Sequence, residues 1–410
     1  MPPKPLSPAR PLPMSHRTNN DATRVAMIGT RGVPASYGGF ETAVEEIGAR
    51  LVERGHKITV YCRGRSERVS PYRGMDAVDL PAVKRRSVET LSHTTLSILH
   101  AVLRARPDVA IVFNAANSPL LPFLRAAQIP IALHTDGLEW QRGKWGVFGR
   151  RYYLLAERLA VRWADQLISD AQGIADYYQG KYETESAVIA YGAPLKEADP
   201  APIRTIGLEP GQYHLVVCRF EPENHADVII HGYSQSNAEL PLVVVGGVPY
   251  SSHYDKSLAH LAGMDHRVRL LGPVWDQRLL DSLYSNSAVY IHGQSVGGTN
   301  PSLLRAMGAS APVAAFDVNF NREVLRGEDR CYWLAAHDVR NIVEDVEAQS
   351  GRWQALGAAA RVVAEDAYRW DDVADCYEEL VMRLKGGNPP PLRSGDPSCP
   401  RAEAPPTGRE

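Results

Sequence analysis

Two successive series of short apolar runs, each run followed by a helical pattern, constrain this chain more than any other feature. The first series covers residues 24–28, 57–62, 108–113, 129–134, 166–169 and 187–191, and the second covers 214–218, 242–245, 268–271, 288–292 and 312–316. The runs are near-continuous in Val, Ile and Leu, as expected of strands covered on both faces, and their alternation with helices predicts parallel sheets. Because the series restarts, the predicted fold is α/β with two tandem Rossmann-like, doubly wound domains and a cleft between them. The first domain is placed at 23–195, a Pro-rich linker at 196–212 and the second domain at 213–386.

The 410 residues suit this count at about 150 per domain. Residues 1–22 and 387–410 are rich in Pro, Gly, Ser and charge, so they bury too little apolar surface to fold and are read as disordered tails. No apolar run reaches the roughly 18 residues needed to span a bilayer, and no export signal is present, so a cytoplasmic protein is expected. The five cysteines are widely separated and form no C-x-x-C pair, so a disulfide framework is not expected. Residues 23–200 hold 23 Lys/Arg against 19 Asp/Glu, whereas 201–387 hold 16 against 24. The first half is therefore the better candidate to face an anionic surface, but no concentrated basic stripe supports nucleic-acid binding.

The first strand runs through Gly29-Thr30-Arg31-Gly32 to Gly38-Gly39-Phe40-Glu41 and a helix marked by Val44, Ile47 and Leu51. Glycines at a helix start expose N–H groups that suit an anion, which makes Gly38 and Gly39 candidate anion contacts. Glu41, in the first turn, is a further candidate site residue. The dinucleotide fingerprint G-x-G-x-x-G is absent, because Gly29 and Gly32 have the wrong spacing.

The second domain repeats this geometry after the strand 288–292. Gly297, Gly298 and Thr299 precede Asn300, which suits an N-cap, Pro301, which suits the first helical position, and Gly308, which suits the stop. A phosphate is expected at this loop, and Arg219, at the carboxyl end of the domain's first strand, is placed to meet it. The stretch from His134 through Asp136, Glu139 and Trp140 to Lys144 and Trp145 also follows a strand. Carboxylates beside indoles suit a sugar, which makes His134, Asp136, Glu139, Trp140 and Lys144 candidate site residues.

Six ordered blocks carry a resemblance: RVAMIGTRGVPASYGGFETAVEEIGARLVERGH, TDGLEWQRGKWG, ADQLISDAQGIADYY, VVCRFEPENH, YIHGQSVGGTNPSLLRAMG and FDVNFNREVL. Together they are similar to family 4 retaining glycosyltransferases of the GT-B fold, and within these to the rhamnosyltransferase subfamily that builds bacterial capsule and exopolysaccharide. The resemblance implies a nucleotide-sugar donor on the second domain, reached also by Gly38 and Gly39, an acceptor on the first beside Glu41, Glu139, Trp140 and Lys144, and a metal-independent transfer with retention in which Asp136 receives or orients the acceptor hydroxyl with His134 behind it. No D-x-D acid pair is present, and neither metal nor cofactor is expected. Three positions depart from the family pattern. Asn224 stands where an Arg/Lys pair would place its lysine, and the usual two glutamates are replaced by Gly297 and Arg305, so Arg305 is expected to serve the donor in its own way.

The function so implied is transfer of a sugar, rhamnose from dTDP-rhamnose, onto a lipid-pyrophosphate-linked or oligosaccharide acceptor, with peripheral association at the inner membrane surface. The alternative is a catalytically silent homologue that binds nucleotide or glycan as an assembly partner.

Overall fold

The computed structural model describes residues 22–35, 38–63, 70–83, 88–135, 137–143, 145–248 and 253–387. Two all-parallel sheets form the chain's frame. The first contains β1 (Arg24–Ile28), β2 (Lys57–Arg63), β3 (Asp76–Leu80), β4 (Val109–Phe113), β5 (Ile131–Thr135), β6 (Gln166–Ser169) and β7 (Ser186–Val188), in the order β3-β2-β1-β4-β5-β6-β7. The second contains β8 (His214–Arg219), β9 (Leu242–Gly247), β10 (Val268–Gly272), β11 (Val289–His292), β12 (Val313–Phe316) and β13 (Tyr332–Trp333), in the order β10-β9-β8-β11-β12-β13. In each sheet the order reverses beside the first strand, between β1 and β4 and between β8 and β11. Such switch points leave a crevice at the carboxyl ends, where open α/β sheets bind ligands.

The predicted runs are strands, with ends shifted by one to three residues. Two edge strands escape the sequence reading. β3 interleaves Asp76 and Asp79 with apolar residues and is half-exposed, so it lacks the apolar run of a strand covered on both faces. β13 is two residues long. The linker contains one helical turn, Ala201–Arg204, anchored by buried Ile203.

One apolar cluster spans both halves of the chain, from Val25, Met27 and Ile47 to Leu215, Leu303 and Leu380. The last helix, Trp370–Lys385, falls within the second domain as placed from the sequence but packs on Gly39–Glu53 of the first. Arg50 reaches Asp371 at 2.8 Å, Arg54 reaches Asp375 at 2.6 Å and Glu378 at 3.0 Å, and His56 meets Glu378 at 3.1 Å. Cys62, Cys218 and Cys331 are free thiols.

Candidate active site between the domains

On the second domain the site is built around the switch point. Arg219 ends β8, and β8 pairs with β11, whose carboxyl end leads into the glycine loop. The guanidinium of Arg219 makes no hydrogen bond or ion pair with any other described residue, although the side chain is half-buried. Its backbone is fixed by Asn224, whose Nδ2 donates to the Arg219 carbonyl at 2.8 Å. Asn224 thus steadies the arginine from within the fold.

The glycine loop is braced on several sides. Ser295 N donates to the Glu223 carbonyl at 2.9 Å, and buried Asn321 donates from Nδ2 to the Gln294 carbonyl at 2.9 Å. Asn300 caps the helix Pro301–Gly308 by accepting from Ser302 N at 2.7 Å, with Pro301 in the first turn, so the loop and cap form as the sequence predicts. Gly308 does not lie past the end but is the last helical residue, and a Cβ there would come within 2.3 Å of the Pro194 carbonyl, so close packing on the linker accounts for it. Ser302 Oγ meets the hydroxyls of Tyr284 at 2.5 Å and Tyr290 at 2.7 Å, and Tyr290 in turn meets His292 Nδ1 at 2.9 Å. This buried polar network fixes the first turn of the helix.

On the first domain, Gly38 caps the helix Gly39–Glu53 without a side-chain hydrogen bond. Glu41 is turned back on its own loop, accepting from Arg31 N at 3.1 Å, and its other oxygen lies against Gly38. His134 lies near the end of β5, with no exposed surface, among the rings of Phe40, Phe113 and Tyr191 at 5.1–5.7 Å. Burial lowers its pKa from 6.5 to about 4, so it is a neutral imidazole at physiological pH. Asp136 and Lys144 lie outside the described residues.

The two halves meet across the cleft through these loops. A Cβ on Gly39 would lie 2.9 Å from Pro301 Cγ, so the N-termini of the two helices face each other, and their positive dipole ends converge on one place. A Cβ on Gly137 would lie 2.7 Å from the Cα of Gly297, and one on Gly298 would lie 2.1 Å from Asp170 Oδ1. Thr299 Oγ1 donates to the Asp170 carbonyl, and Gln172 N donates to Glu323 Oε1 at 2.9 Å. Arg142 holds Glu139 at 2.5 Å and faces Glu223 of the second domain at 3.7 Å, an ion pair rather than a hydrogen bond.

Several candidates are thereby committed to partners of their own. Glu139 is buried, bound by Arg142 and by Trp145 Nε1 at 3.3 Å. Trp140 lies 5.7 Å from Lys181 Nζ, a cation also held by Tyr177, Tyr182 and the buried Glu157. Arg305 pairs with Asp281 at 2.5 Å and donates to Gln277 at 2.8 Å on the neighbouring helix. Asp170, Glu223, Glu323 and Asn321 were not singled out from sequence. Each sits in one of the quoted blocks, but the contact that gives it a role joins it to a residue 27 to 151 positions away.

The buried histidines set a pH dependence. His93, His134 and His292 are lowered by burial to about 4, 4 and 3. Unfolding raises each toward 6.5, so the unfolded chain binds more protons; the stability is full above pH 6.5 and is lost as pH falls toward 4. Relative to acid pH this amounts at neutral pH to about 3 kcal/mol for His93 and for His134 and about 5 kcal/mol for His292. The denaturant midpoint should drop between pH 6.5 and 5, above the range where carboxylates titrate, and His134→Leu should flatten this slope. An unchanged slope would show that His134 is charged when folded.

Residues 22–194 match the family described as Domain of unknown function (DUF1972), and residues 211–349 match Glycosyl transferases group 1. No curated protein sequence matches the chain. Among solved structures, sucrose-phosphate synthase from Thermosynechococcus elongatus is similar, with a TM-score of 0.76 and 17% identity over 89% of this chain and 99% of that one. Anabaena HepE in complex with UDP-glucose gives 0.72 and 16% over 87% and 99%. WaaG, a glycosyltransferase involved in lipopolysaccharide biosynthesis, gives 0.67 and 16% over 88% and 100%. The chain has the two-domain GT-B fold of glycosyltransferases, and its second domain matches Glycosyl transferases group 1.

Proposed function

We propose that the protein is a metal-independent, retaining glycosyltransferase. The observation that carries this reading is the unpaired guanidinium of Arg219 at the second sheet's switch point, one strand away from the capped N-terminus of Pro301–Gly308. A nucleoside diphosphate is the ligand this arrangement suits, since it needs fixed positive charge along a short path. HepE was solved with UDP-glucose, which agrees with a nucleotide-sugar as ligand.

In the proposed reaction the donor diphosphate lies along Arg219, Gly297, Gly298, Thr299 and the Asn300 cap, and the sugar points at the first domain. Charge growing on the leaving diphosphate is stabilised by Arg219 and by the two facing helix ends, Gly38-Gly39 among them. The acceptor hydroxyl approaches from the first domain near Asp136. His134, neutral and without exposed surface, stands behind Asp136 and does not act as a base. Glu41 and Glu139 shape the acceptor side through Arg31 and Arg142, and Trp140 and Lys144 flank it. Arg305 acts on the donor side through Asp281. The donor proposed is dTDP-rhamnose and the acceptor a lipid-pyrophosphate-linked sugar of cell-envelope polysaccharide, reached at the cytoplasmic face of the membrane.

Release of nucleoside diphosphate from dTDP-rhamnose, compared with UDP- and GDP-sugars, tests the reading. Turnover of dTDP-rhamnose above the others is expected. Tight diphosphate binding without turnover of any donor would instead establish a silent, nucleotide-binding homologue.

A further inference from the structure

The helix Val147–Trp163 of the first domain has two faces of opposite character. Tyr153, Ala156 and Ala160 are buried against the domain. The helix's single acid, Glu157, is buried as well, accepting from Tyr177 at 2.9 Å, Tyr182 at 2.9 Å and Lys181 at 3.2 Å. Outward, Phe148, Arg151, Leu155, Arg158 and Arg162 follow at spacings of three and four, which puts them on one stripe. Phe148 is 87% exposed, Val147 65% and Leu155 51%.

The guanidinium groups of Arg150, Arg151, Arg158 and Arg162 form no hydrogen bond or ion pair with any described residue. Arg162 only lies over the Trp163 ring, at 4.9 Å. Asp165, just beyond the helix, does not neutralise them, because Arg125 holds it at 3.1 Å. With Arg150 and Val147 at its margins, the face therefore combines four arginines unpaired among the described residues with three exposed apolar side chains and no acid of the helix's own.

A partner for this face must take apolar groups and cations together on a convex helix. The interfacial zone of an anionic bilayer does so, its phosphates meeting the guanidinium groups and its acyl boundary receiving Phe148 and Leu155. A nucleic acid would leave both apolar side chains in water. We propose that this face is the docking surface for an anionic phospholipid bilayer. The purpose of docking rests on the transferase reading above. The helix starts just after Trp145, which contacts Glu139, and Glu139 holds the Arg142 that faces Glu223 across the cleft. The apolar end of the docking face thus adjoins the cleft, where a bilayer-borne acceptor would present its sugar.

Flotation of the full chain with vesicles of equal parts phosphatidylglycerol and phosphatidylcholine tests the assignment. Wild type should float at low salt and dissociate as salt rises. Each of Arg150→Gln, Arg151→Gln and Arg158→Gln should lower partitioning about fivefold, and Phe148→Ser about tenfold with little salt dependence. These residues lie outside the donor site, so diphosphate release in lipid-free solution should not change. Absence of flotation at low salt, equal flotation with pure phosphatidylcholine, or retention on heparin without flotation would overturn the proposal, the last assigning the face to an acidic polymer. If flotation fails while donor turnover persists, the docking face alone is wrong. If the variants lose flotation as expected but wild type turns over no donor, the docking face stands and the transferase reading falls.

Discussion

Arg219→Ala is expected to weaken donor binding and slow turnover by about 10- to 150-fold, the worth of one charge-assisted hydrogen bond of roughly 1.5–3 kcal/mol. The guanidinium ends β8 beside the switch point and has no partner among the described residues, so nothing in the fold depends on its charge. Stability should consequently shift by less than about 0.5 kcal/mol, as for substitutions that break no buried contact. Because the diphosphate is charged when bound and gains charge as it leaves, the affinity for free nucleoside diphosphate and kcat should both fall, which calorimetric titration and steady-state rates read separately. Arg219→Lys should recover only part of the loss, since an ammonium keeps the charge but lacks the planar fork. Kinetics matching wild type in a folded Arg219→Ala protein would remove this residue from the donor site.

The sequence made legible those parts of the site that depend on near neighbours. Asn300 followed by Pro301 is a local signature, and the cap forms because its side chain needs only a backbone N–H two residues away. The strand ends carrying Arg219 and His134 were legible for the same reason, since an unbroken apolar run fixes where a buried parallel strand stops. What stayed hidden was partnership over distance. Glu139 reads equally well as a sugar ligand or as an ion-pair partner, and only the fold brings Arg142 and Glu223 to it. Arg305 carries an orphan charge in the sequence, yet Asp281, a turn of a neighbouring helix away in space, is 24 residues distant along the chain. Indole chemistry at Trp140 suggested a sugar face, and only the fold shows that Lys181 lies 5.7 Å from the same ring.

The same blindness affects the glycines, and it changes what one of them should do when replaced. From sequence, Gly298 reads as a residue without a side chain so that a phosphate can approach its backbone. In the structure its missing Cβ also makes room for the other domain: a Cβ would lie 2.1 Å from Asp170 Oδ1 and 2.7 Å from Ile174 Cδ1, and neither is the free end of an exposed chain. Gly298→Val must therefore separate the domains at this contact, which also carries the Thr299 hydroxyl bond to the Asp170 carbonyl. The expected result is a loss of diphosphate release of at least about 100-fold, since a small displacement of reacting groups is that costly, together with about 1–3 kcal/mol of overpacking strain in the closed arrangement. Gly298→Ala should already show much of the effect, because the clash begins at Cβ. Small-angle scattering should report a larger radius of gyration for both variants, with each sheet still folded by circular dichroism. Diphosphate release at the wild-type rate by a Gly298→Val protein of unchanged radius would mean that the loop neither seats the donor nor holds the domains together.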